Sequence, residues 1–597
     1  MKIVLSNSVG IGSDGERYVH FPSRWSAVES PSWYDHRKGR MTFYPFMLAY
    51  GSALLKRETE FDVKFLDPNL NDWNHSESLK NIVNEKPDWL VMESSTLSFD
   101  MDMKLALAAR EECGCKLIFA GQHPSAFPEE ALKAGADVVC IGEYEFTLLE
   151  FFKSAHPEKV AGIYPNGRRE LADPNLLPWP EDDDVRRIDY IEPVVSRYRE
   201  VEMFSSRGCP LACNFCVASN VYYGGAGSWR PRNVDDVTNE IAAMKSKYPE
   251  MEGVFFDDEI HNGRKEFTME LCRSIVDKGL DTLKYNAMCG YWNMDSEMLS
   301  AMKRAGYYRL RVGIETADSG VAKRIGKSHS MKRLYRALEC AASEGIEVYG
   351  TFTYGATGSS AESDRGTTEL VKDLLRKGLL CDIQISICTP QPGTPFFKEA
   401  RESGRLAGDD WKKFDGGRNV IAGYPHYSSK EIEQVVSEAR RASSLFGGAT
   451  RFAGVDFSDV GEFLSACEGN ILIIGSGPAW QSEKILDEIK TAGCISRTHM
   501  LARKDLKGEF AERVNITTFG DGPLTIESLG DETLRSIKEK NISSVIVQVN
   551  HNRADISDYE EIFRLAETVC PSMAAVNVSG NVLPVPLPKA GEAAGSK

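Results

Sequence analysis

Short apolar runs alternate with amphipathic stretches along the first 155 residues of the chain. Each run is five or six residues long, rich in β-branched or large apolar side chains, and followed by Gly, Ser, Asp or Asn. Runs of this kind are typical of strands buried on both faces of a sheet. We predict strands at 2–6, 62–66, 88–93, 116–120 and 137–141, with helical patterns such as 46–55 and 103–111 between them. Residues 1–155 are therefore predicted to form a doubly wound parallel α/β domain.

The alternation resumes at residue 201, after a proline-rich segment over 156–200 that we predict to be a linker. Six further strands are predicted at 202–205, 253–256, 285–288, 309–314, 347–354 and 382–387. Six βα units within 201–397 fit a partial (β/α)6 barrel, in which chemistry is found at the carboxyl ends of the strands. Residues 398–445 are predicted to be a helical extension and 446–590 a smaller C-terminal α/β domain, with strands at 470–474 and 545–549. The Ala/Gly-rich tail, 589–597, is predicted to be disordered.

Composition excludes several classes of protein. With 597 residues, 42% hydrophobic and 26% charged, the chain has the length of three or four globular domains and does not resemble a disordered or fibrous protein. No apolar stretch is long enough to span a membrane. The net charge of −16, without a basic stripe, argues against a nucleic-acid partner. Scattered cysteines and the lack of an export signal predict a reducing, cytoplasmic compartment.

Three of the 14 cysteines are not scattered. Cys209, Cys213 and Cys216 follow the first barrel strand with the spacing C-x3-C-x2-C, which chance would produce roughly 0.01 times in such a chain. Three thiolates on one loop can hold three irons of a four-iron cluster and leave the fourth iron open to a ligand. The alternatives are a zinc site or unreactive thiols. Zinc would need a fourth ligand, and no other Cys or His lies within forty residues.

This spacing, with the aromatic Phe215 before the last cysteine, resembles the signature of the radical S-adenosylmethionine (SAM) superfamily. The resemblance implies a [4Fe-4S] cluster whose open iron is chelated by the amino and carboxylate groups of SAM. It implies that one electron cleaves the sulfonium to a 5′-deoxyadenosyl radical, which abstracts hydrogen from unactivated C–H bonds. It further implies a reductase, such as a flavodoxin or ferredoxin, as electron donor.

Polar residues end other barrel strands. Asp257-Asp258-Glu259 closes the second strand, where carboxylates could accept hydrogen bonds from the SAM ammonium or, alternatively, cap a helix. Glu315 ends the fourth strand in a run that resembles the superfamily's G-I-E-S. Gly355 follows the fifth strand, where relatives have G-x-P-G-E. This chain has Thr357 and Ser359 in place of the Pro and Glu, which puts the contacts on the adenine side of SAM in question.

The six residues from Pro390 to Pro395 resemble the P-x-P-G-T turn of the cobalamin-binding branch of the superfamily, whose hallmark is a doubly wound domain before the barrel. The resemblance covers about 1–445. Ligands bind doubly wound sheets at the carboxyl ends of the strands, although ordinary turn chemistry could explain any single loop. The residues implied to contact cobalamin are Ser94, Ser95, Thr96, Gly121, His123, Gly142 and Glu143.

The D-x-H-x-x-G motif that supplies an axial histidine to cobalt in other cobalamin proteins is absent. Asp72 and His75 are three positions apart, and the required glycine does not follow them. We therefore expect no cobalt ligand from that loop. The turns around Tyr44-Pro45-Phe46 and Trp229-Arg230-Pro231-Arg232 most resemble the subgroup linked to hopanoid-type lipid biosynthesis.

Gly475-Ser476-Gly477-Pro478 in the C-terminal domain follows a predicted strand. Trp480 stands where the third glycine of a dinucleotide motif would be, so a plain βα turn is favoured over a nucleotide site.

The resemblance as a whole implies methylation of an unactivated carbon in a lipid or natural-product-like small molecule. Ring formation, rearrangement or oxygen insertion by the same radical chemistry is one alternative. A non-catalytic cobalamin or redox sensor is an alternative of another class. Asp258 and Glu315 argue against the sensor, because a sensor would not need polar residues at the barrel's strand ends.

Overall fold

The computed structural model of the protein describes residues 1–11, 17–20, 26–28, 42–191, 196–327, 330–408, 410–416, 419–446, 460, 464, 469–475, 479–503, 510, 512–519, 533–548, 565–566, 573–576 and 582–584. The chain divides into two compact units. The first comprises residues 1–370 and 383–439, and the second comprises residues 371–382 and 440–597. Among the residues given above, no helix is both long and apolar enough to cross a membrane.

The N-terminal part of the first unit is a doubly wound domain. Its strands are β1 (Lys2–Ser6), β2 (Tyr18–His20), β3 (Ser26–Val28), β4 (Asp62–Leu66), β5 (Trp89–Glu93), β6 (Lys116–Ala120) and β7 (Val138–Val139). Helices α1 to α7 are Phe46–Glu58, Pro68–Asn71, His75–Asn84, Phe99–Cys113, Gln122–Ala126, Pro128–Ala134 and Glu145–Lys153. A parallel sheet has the order β4-β1-β5-β6-β7, and β2 and β3 form a separate antiparallel pair.

Both faces of this sheet are covered, which explains its nearly continuous apolar strands. Ile3 and Leu5 pack into one apolar cluster with Phe46 of α1, whereas Val4 packs into a second cluster with Leu105 of α4. Side chains alternate between the two faces of a strand, so β1 has apolar residues at consecutive positions, Ile3 to Leu5. The predicted doubly wound parallel sheet is confirmed.

The central part is an open parallel barrel. Its strands are β8 (Glu200–Met203), β11 (Gly253–Phe256), β12 (Lys284–Cys289), β13 (Tyr307–Glu315), β14 (Glu347–Tyr354) and β15 (Asp382–Ile387), while β9 (Ser206–Arg207) and β10 (Arg230–Pro231) form a separate antiparallel pair. Helices α8 to α15 are Val234–Lys247, Lys265–Asp277, Ser296–Arg304, Ser319–Arg324, Met331–Ser343, Ala361–Arg376, Pro395–Glu402 and Ser429–Phe446. The six-stranded sheet runs β8-β11-β12-β13-β14-β15 with β8 and β15 at its edges, which confirms the partial (β/α)6 barrel.

The first barrel strand differs from its predicted position, ending at Met203 and not at residue 205. The backbone N–H groups of Ser205 and Ser206 both donate to the Asp258 carboxylate at 2.8 Å. They are therefore unavailable to a sheet ladder, and the chain leaves the strand at this point.

The C-terminal unit contains a second doubly wound sheet. Its strands are β16 (Asn470–Gly475), β17 (Thr498–Arg503), β18 (Asn515–Phe519), β19 (Ile542–Gln548), β20 (Met573–Val576) and β21 (Val582–Pro584), and helix α16 is Ala479–Thr491. The order is β18-β17-β16-β19-β20-β21, with only β21 paired antiparallel. A smaller C-terminal α/β domain is thus confirmed. Residues 476–478 of the glycine turn and the tail 589–597 lie outside the described residues, and the predicted domain boundaries stay predictions.

Candidate active site

The three spaced cysteines lie on a loop, here called the cluster loop, that leaves β9 and returns at β10. The two strands pair antiparallel and close the base of the loop. Above them, Ser228 N–H donates to Cys209 O at 3.2 Å, and Cys209 N–H donates to Ser228 Oγ at 3.1 Å. Gly208 has φ +83°, and a Cβ there would lie 2.3 Å from Ser228 O, so this close approach requires glycine. Because hydrogen bonds and a β-pair close the base, the protein itself holds the loop in shape.

Cys209, Cys213 and Cys216 are partly exposed free thiols on this loop. Burial, together with the neighbouring thiols, raises the pKa of Cys209 and of Cys213 to about 12. Metal binding would displace these protons, since iron binds the thiolate. Asn220 Nδ2 donates to Cys213 O at 2.9 Å and to Cys216 O at 2.7 Å, which orients the segment between the two cysteines.

The three thiols lie together on one loop. In the described part of the chain, no three His, Cys, Asp or Glu side chains converge closely enough to ligate one ion. A four-iron cluster takes one thiolate per iron, so three thiols can hold three irons and leave the fourth iron open to a ligand. The number of thiols on the loop thus fits a [4Fe-4S] cluster.

Asp258, predicted to bind SAM, lies at the centre of a buried network. Its carboxylate accepts hydrogen bonds from Ser205 N–H (2.8 Å), Ser205 Oγ (2.6 Å) and Ser206 N–H (2.8 Å). It also lies 2.8 Å from His261 Nδ1, and His261 Nε2 lies 2.8 Å from Tyr307 Oη. Asp258 and His261 are both 0% exposed. The structure thus surrounds this carboxylate with protein partners, and they join the end of β8 to the end of β11.

The two neighbouring acids differ in position. Glu259 accepts hydrogen bonds from Gly208 N–H at 3.0 Å and from Tyr223 Oη at 2.8 Å, so it connects the start of the cluster loop to a residue after the cysteines. The charge of Glu259 also raises the pKa of Cys209, which shows that it lies near the thiols. Asp257 is 1% exposed, and its N–H donates to Met203 O at 3.0 Å.

Glu315 lies near Cys213 of the cluster loop, whose pKa its charge raises. It has φ +69°, a left-handed conformation that is strained for a residue with a side chain, at the end of β13. Its carboxylate accepts hydrogen bonds from Lys327 Nζ and from Thr353 Oγ1, both at 2.8 Å. The charge of Lys327 lowers the pKa of Cys213, although burial outweighs it. Lys327 is thus a site residue that sequence reasoning missed, because no pattern connects it to β13.

Gly355 also takes the left-handed conformation that glycine allows, at φ +69°. Its N–H donates to Asp364 Oδ2 at 2.8 Å, and burial raises the pKa of Asp364 to about 6. Thr357, which replaces the expected proline, accepts a hydrogen bond from Asn214 Nδ2 at 2.8 Å. Asn214 follows Cys213 directly, so this departure from the superfamily pattern provides a contact to the cluster loop.

The loops after β5 and β6 are packed against each other. Ser8, Ser94 and Ser98 each donate a hydroxyl to Asp102 Oδ2 at 2.7 Å, and burial raises the pKa of Asp102 to about 6. Gly121 has φ +103°, and a Cβ there would lie 2.5 Å from Ser94 O. The predicted cobalamin residues Ser94 and Gly121 are therefore brought into backbone contact.

Three more of the predicted cobalamin residues lie nearby, all of them buried. The Ser95 hydroxyl lies 3.2 Å from Ser98 Oγ, and Thr96 N–H donates to Gln122 Oε1 at 3.3 Å. His123 is 0% exposed, with Nδ1 at 3.4 Å from Thr96 Oγ1. The imidazole lies among aromatic rings and is not on the loop surface, with contacts to Phe99, Phe127 and Trp411.

The loop after β7 faces the cluster loop. Gly142 N–H donates to Ser125 Oγ at 3.1 Å. The Glu143 carboxylate pairs with Arg230 at 2.7 and 3.0 Å and with Arg207 at 3.4 Å. These two arginines flank the cluster loop, and the sequence offered no sign of their pairing. A further acid, partly buried, lies at the end of β5, where burial raises the pKa of Glu93 to about 8.

The segment from Asp72 to His75, which we expect to provide no cobalt ligand, connects the end of α2 to the start of α3. Asp72 ends α2 in a left-handed conformation, and His75 is the first residue of α3. Asn74 and Glu77 form a capping box at the start of α3. The carboxyl ends of β5, β6 and β7 are adjacent in the sheet, so their loops together fit the floor expected for a flat ring.

Comparison with protein-family models now defines the class. The model described as "B12 binding domain" matches residues 39–152, and the model described as "Radical SAM superfamily" matches residues 203–374. The chain therefore carries a B12-binding domain followed by a radical SAM domain. The cofactors of this pair are cobalamin, a [4Fe-4S] cluster and SAM, as the sequence predicts.

The chain is also similar to individual proteins over more than half of its length. The chain is 25% identical over 412 residues to an uncharacterized methyltransferase of Pyrococcus horikoshii, covering 66% of this chain and 86% of the relative. It is 24% identical over 377 residues to the hopanoid C-3 methylase of Methylococcus capsulatus, covering 60% of this chain and 69% of that enzyme.

Among solved structures, the cobalamin-dependent SAM radical enzyme OxsB with aqua-cobalamin bound matches with a TM-score of 0.54. The match has 14% sequence identity and covers 83% of this chain and 72% of OxsB. At this identity the similarity supports the fold. It agrees with a B12-binding domain followed by a parallel α/β barrel.

Proposed function

We propose that the protein is a cobalamin-dependent radical SAM methyltransferase that methylates an unactivated carbon of a small molecule. The observation that carries the proposal is the loop with Cys209, Cys213 and Cys216 at the carboxyl end of an open parallel barrel, preceded by a doubly wound domain. Methyltransferases among its relatives support methylation, and two anaerobic magnesium-protoporphyrin IX monomethyl ester cyclases among them keep ring formation as the alternative.

Different residues of this chain would hold the cluster, cobalamin and SAM. The three thiolates would hold the cluster, and the loops after β5, β6 and β7 would hold cobalamin. When bound, the cluster with SAM supplies a radical that removes hydrogen from the substrate, and cobalamin supplies the methyl group. Glu315 and Lys327, 2.8 Å apart beside Cys213, would bind polar groups of SAM. Superfamily members need a reductant, for which a flavodoxin or ferredoxin in the cytoplasm is our proposal.

One row of residues on the inner face of the barrel contains polar and charged side chains. Glu202, Phe255, Asn286 and Arg309 are register partners in one row across β8, β11, β12 and β13. The Arg311 guanidinium lies 3.8 Å from the centre of the Phe255 ring on this same face. The alternate residues of these strands are apolar, as expected for the face that the helices cover.

Within that row, Asn286 is 0% exposed, and neither polar atom of its side chain has a hydrogen-bond partner among the described residues. Buried amides are normally paired. Arg309 in the same row is a register partner of Glu347, the first residue of β14, so this amide lies towards the amino end of the barrel and away from the cluster loop. We propose a lipid or natural-product-like small molecule as the substrate.

Anaerobic reconstitution with iron and sulfide tests the proposal. The wild type should hold about four irons per cluster and release 5′-deoxyadenosine from SAM under a strong reductant. The Cys216→Ala variant should lose both properties. Cys340→Ala, which removes a thiol on α12 outside the cluster loop, is the matched control and should retain both.

Methyl transfer is followed with SAM that carries a deuterated methyl group. Extracts of cells that lack the gene are incubated with the loaded enzyme, and products that gain the label on carbon are sought by mass spectrometry. Release of 5′-deoxyadenosine by Cys216→Ala would contradict the cluster assignment. A loaded enzyme that never cleaves SAM would instead indicate the sensor.

A further inference from the structure

Four charged side chains connect the cobalamin-binding domain to the base of the cluster loop. Glu143 and Glu145 follow β7, and Arg207 and Arg230 stand on β9 and β10. Arg230 donates two hydrogen bonds to the Glu143 carboxylate, at 2.7 and 3.0 Å. Arg207 Nη1 lies 2.6 Å from Glu145 and 3.4 Å from Glu143. We call these four residues the arginine–glutamate network.

The network is largely shielded from water. The side chains of Arg207, Glu145 and Glu143 are 3%, 2% and 8% exposed. The Arg207 guanidinium also lies over the Tyr50 ring, 4.6 Å from its centre, so α1 of the cobalamin-binding domain contributes a further contact. Charges in such surroundings interact more strongly than on the surface, and loss of one partner leaves an uncompensated buried charge.

The two arginines stand opposite each other in a β-ladder. Arg207 and Arg230 are register partners in the antiparallel β9–β10 pair, and like charges directly opposite in a ladder repel. Glu143 contacts both guanidinium groups and offsets this repulsion. Cys209 is two residues beyond Arg207, and Ser228, which hydrogen-bonds to it, is two residues before Arg230. The acid of one domain therefore stabilises the base of the loop in the other.

We propose that the arginine–glutamate network couples the cobalamin site to the cluster site, with Glu143 as a positioning residue for the cluster loop. The loop after β7 is one of the three loops to which we assign cobalamin, so this inference rests on the proposed function. A ligand that shifts this loop shifts the acid that closes the base of the cluster loop. Coupling between two sites is reciprocal, so cluster assembly must then change cobalamin affinity by the same factor by which cobalamin changes cluster affinity.

Hydroxocobalamin binding to two forms of the protein measures the coupling. Its Kd is determined for protein with a reconstituted cluster and for protein without one. We expect the wild-type Kd values to differ at least about fivefold, the lower end of ordinary coupling between sites. In Glu143→Gln, which keeps the shape and removes the charge, the ratio should fall to about one. The EPR spectrum of the reduced cluster should respond to hydroxocobalamin in the wild type and not in this variant.

Two further variants keep the test decisive. Glu150→Gln is the matched control, because it removes an acid paired with Arg169 on the exposed surface of α7 and should leave the ratio unchanged. Arg230→Gln breaks the same contact from the less buried side, with 18% of its side chain exposed, and should reproduce the effect if Glu143→Gln does not fold.

The results separate failure of the coupling from failure of the proposed function. A ratio of one in the wild type, or a wild-type ratio retained by folded Glu143→Gln or Arg230→Gln, overturns the coupling and leaves the proposed function intact. A wild type that binds no hydroxocobalamin at all overturns the proposed function.

Discussion

Replacing Asp258 by Asn tests whether this acid serves stability or binds SAM. Its carboxylate meets three donors from Ser205 and Ser206 and the imidazole of His261, all within 2.8 Å. The amide of Asn has only one acceptor oxygen, so some of these donors would lose their acceptor. Asp258 is 0% exposed, so water cannot replace the lost acceptor. Hydrogen bonds to a charged group contribute about 1.5–3 kcal/mol each, and breaking a buried pair costs about 3–5 kcal/mol.

We therefore expect the cofactor-free Asp258→Asn protein to lose about 3–5 kcal/mol in its main unfolding transition. Thermal and urea unfolding followed by circular dichroism measure the loss. SAM titration of the reconstituted variant, carried out below its melting temperature, should give a Kd within about twofold of the wild type. Unchanged stability together with weaker SAM binding would refute this reasoning and return Asp258 to the SAM site.

Three other predictions concern single buried groups. Because burial raises the folded-state pKa of Glu93 to about 8, its contribution to stability is present below about pH 4.5 and is lost as the pH rises towards 8. Glu93→Gln should therefore stabilise the cofactor-free protein by up to about 4 kcal/mol at pH 8 and little at pH 5; equal unfolding curves at both pH values would disprove this. Lys327→Met removes a cation beside Cys213 and should lower the midpoint potential of the cluster by roughly 50–100 mV, measured by EPR-monitored titration; an unchanged potential would show that the lysine does not act on the cluster. Asn286→Leu should be neutral or stabilising in thermal unfolding of the cofactor-free protein, because it removes an unpaired buried amide; destabilisation by more than about 1 kcal/mol would contradict that view.

Local patterns predicted most of the fold. Strands such as Gly253–Phe256 and Glu347–Tyr354 lie at their predicted positions, because an apolar run and its flanking turn residues are both local features. The cluster loop could be predicted for the same reason, since its three cysteines lie within eight residues.

Contacts between distant segments were the part that sequence could not reveal. Arg230 meets Glu143 across 87 positions, and Ser205 meets Asp258 across 53. Such pairs depend on strand register and on how two domains pack, which no spacing along the chain encodes. This is why the pairing of Glu143 with Arg207 and Arg230 could not be predicted, and its contact with cobalamin stays a prediction. The same reason explains why Lys327 was missed.

The closed base of the cluster loop has a consequence for how the metal centre is assembled. Closing a flexible loop of about twenty residues costs roughly 3 kcal/mol of chain entropy. Here the β9–β10 pair and the Cys209–Ser228 hydrogen bonds close it without any metal. Incoming iron and sulfide therefore meet thiols that already share one folded loop. The rate of cluster insertion should therefore depend on the supply of iron and sulfide and not on refolding of the chain.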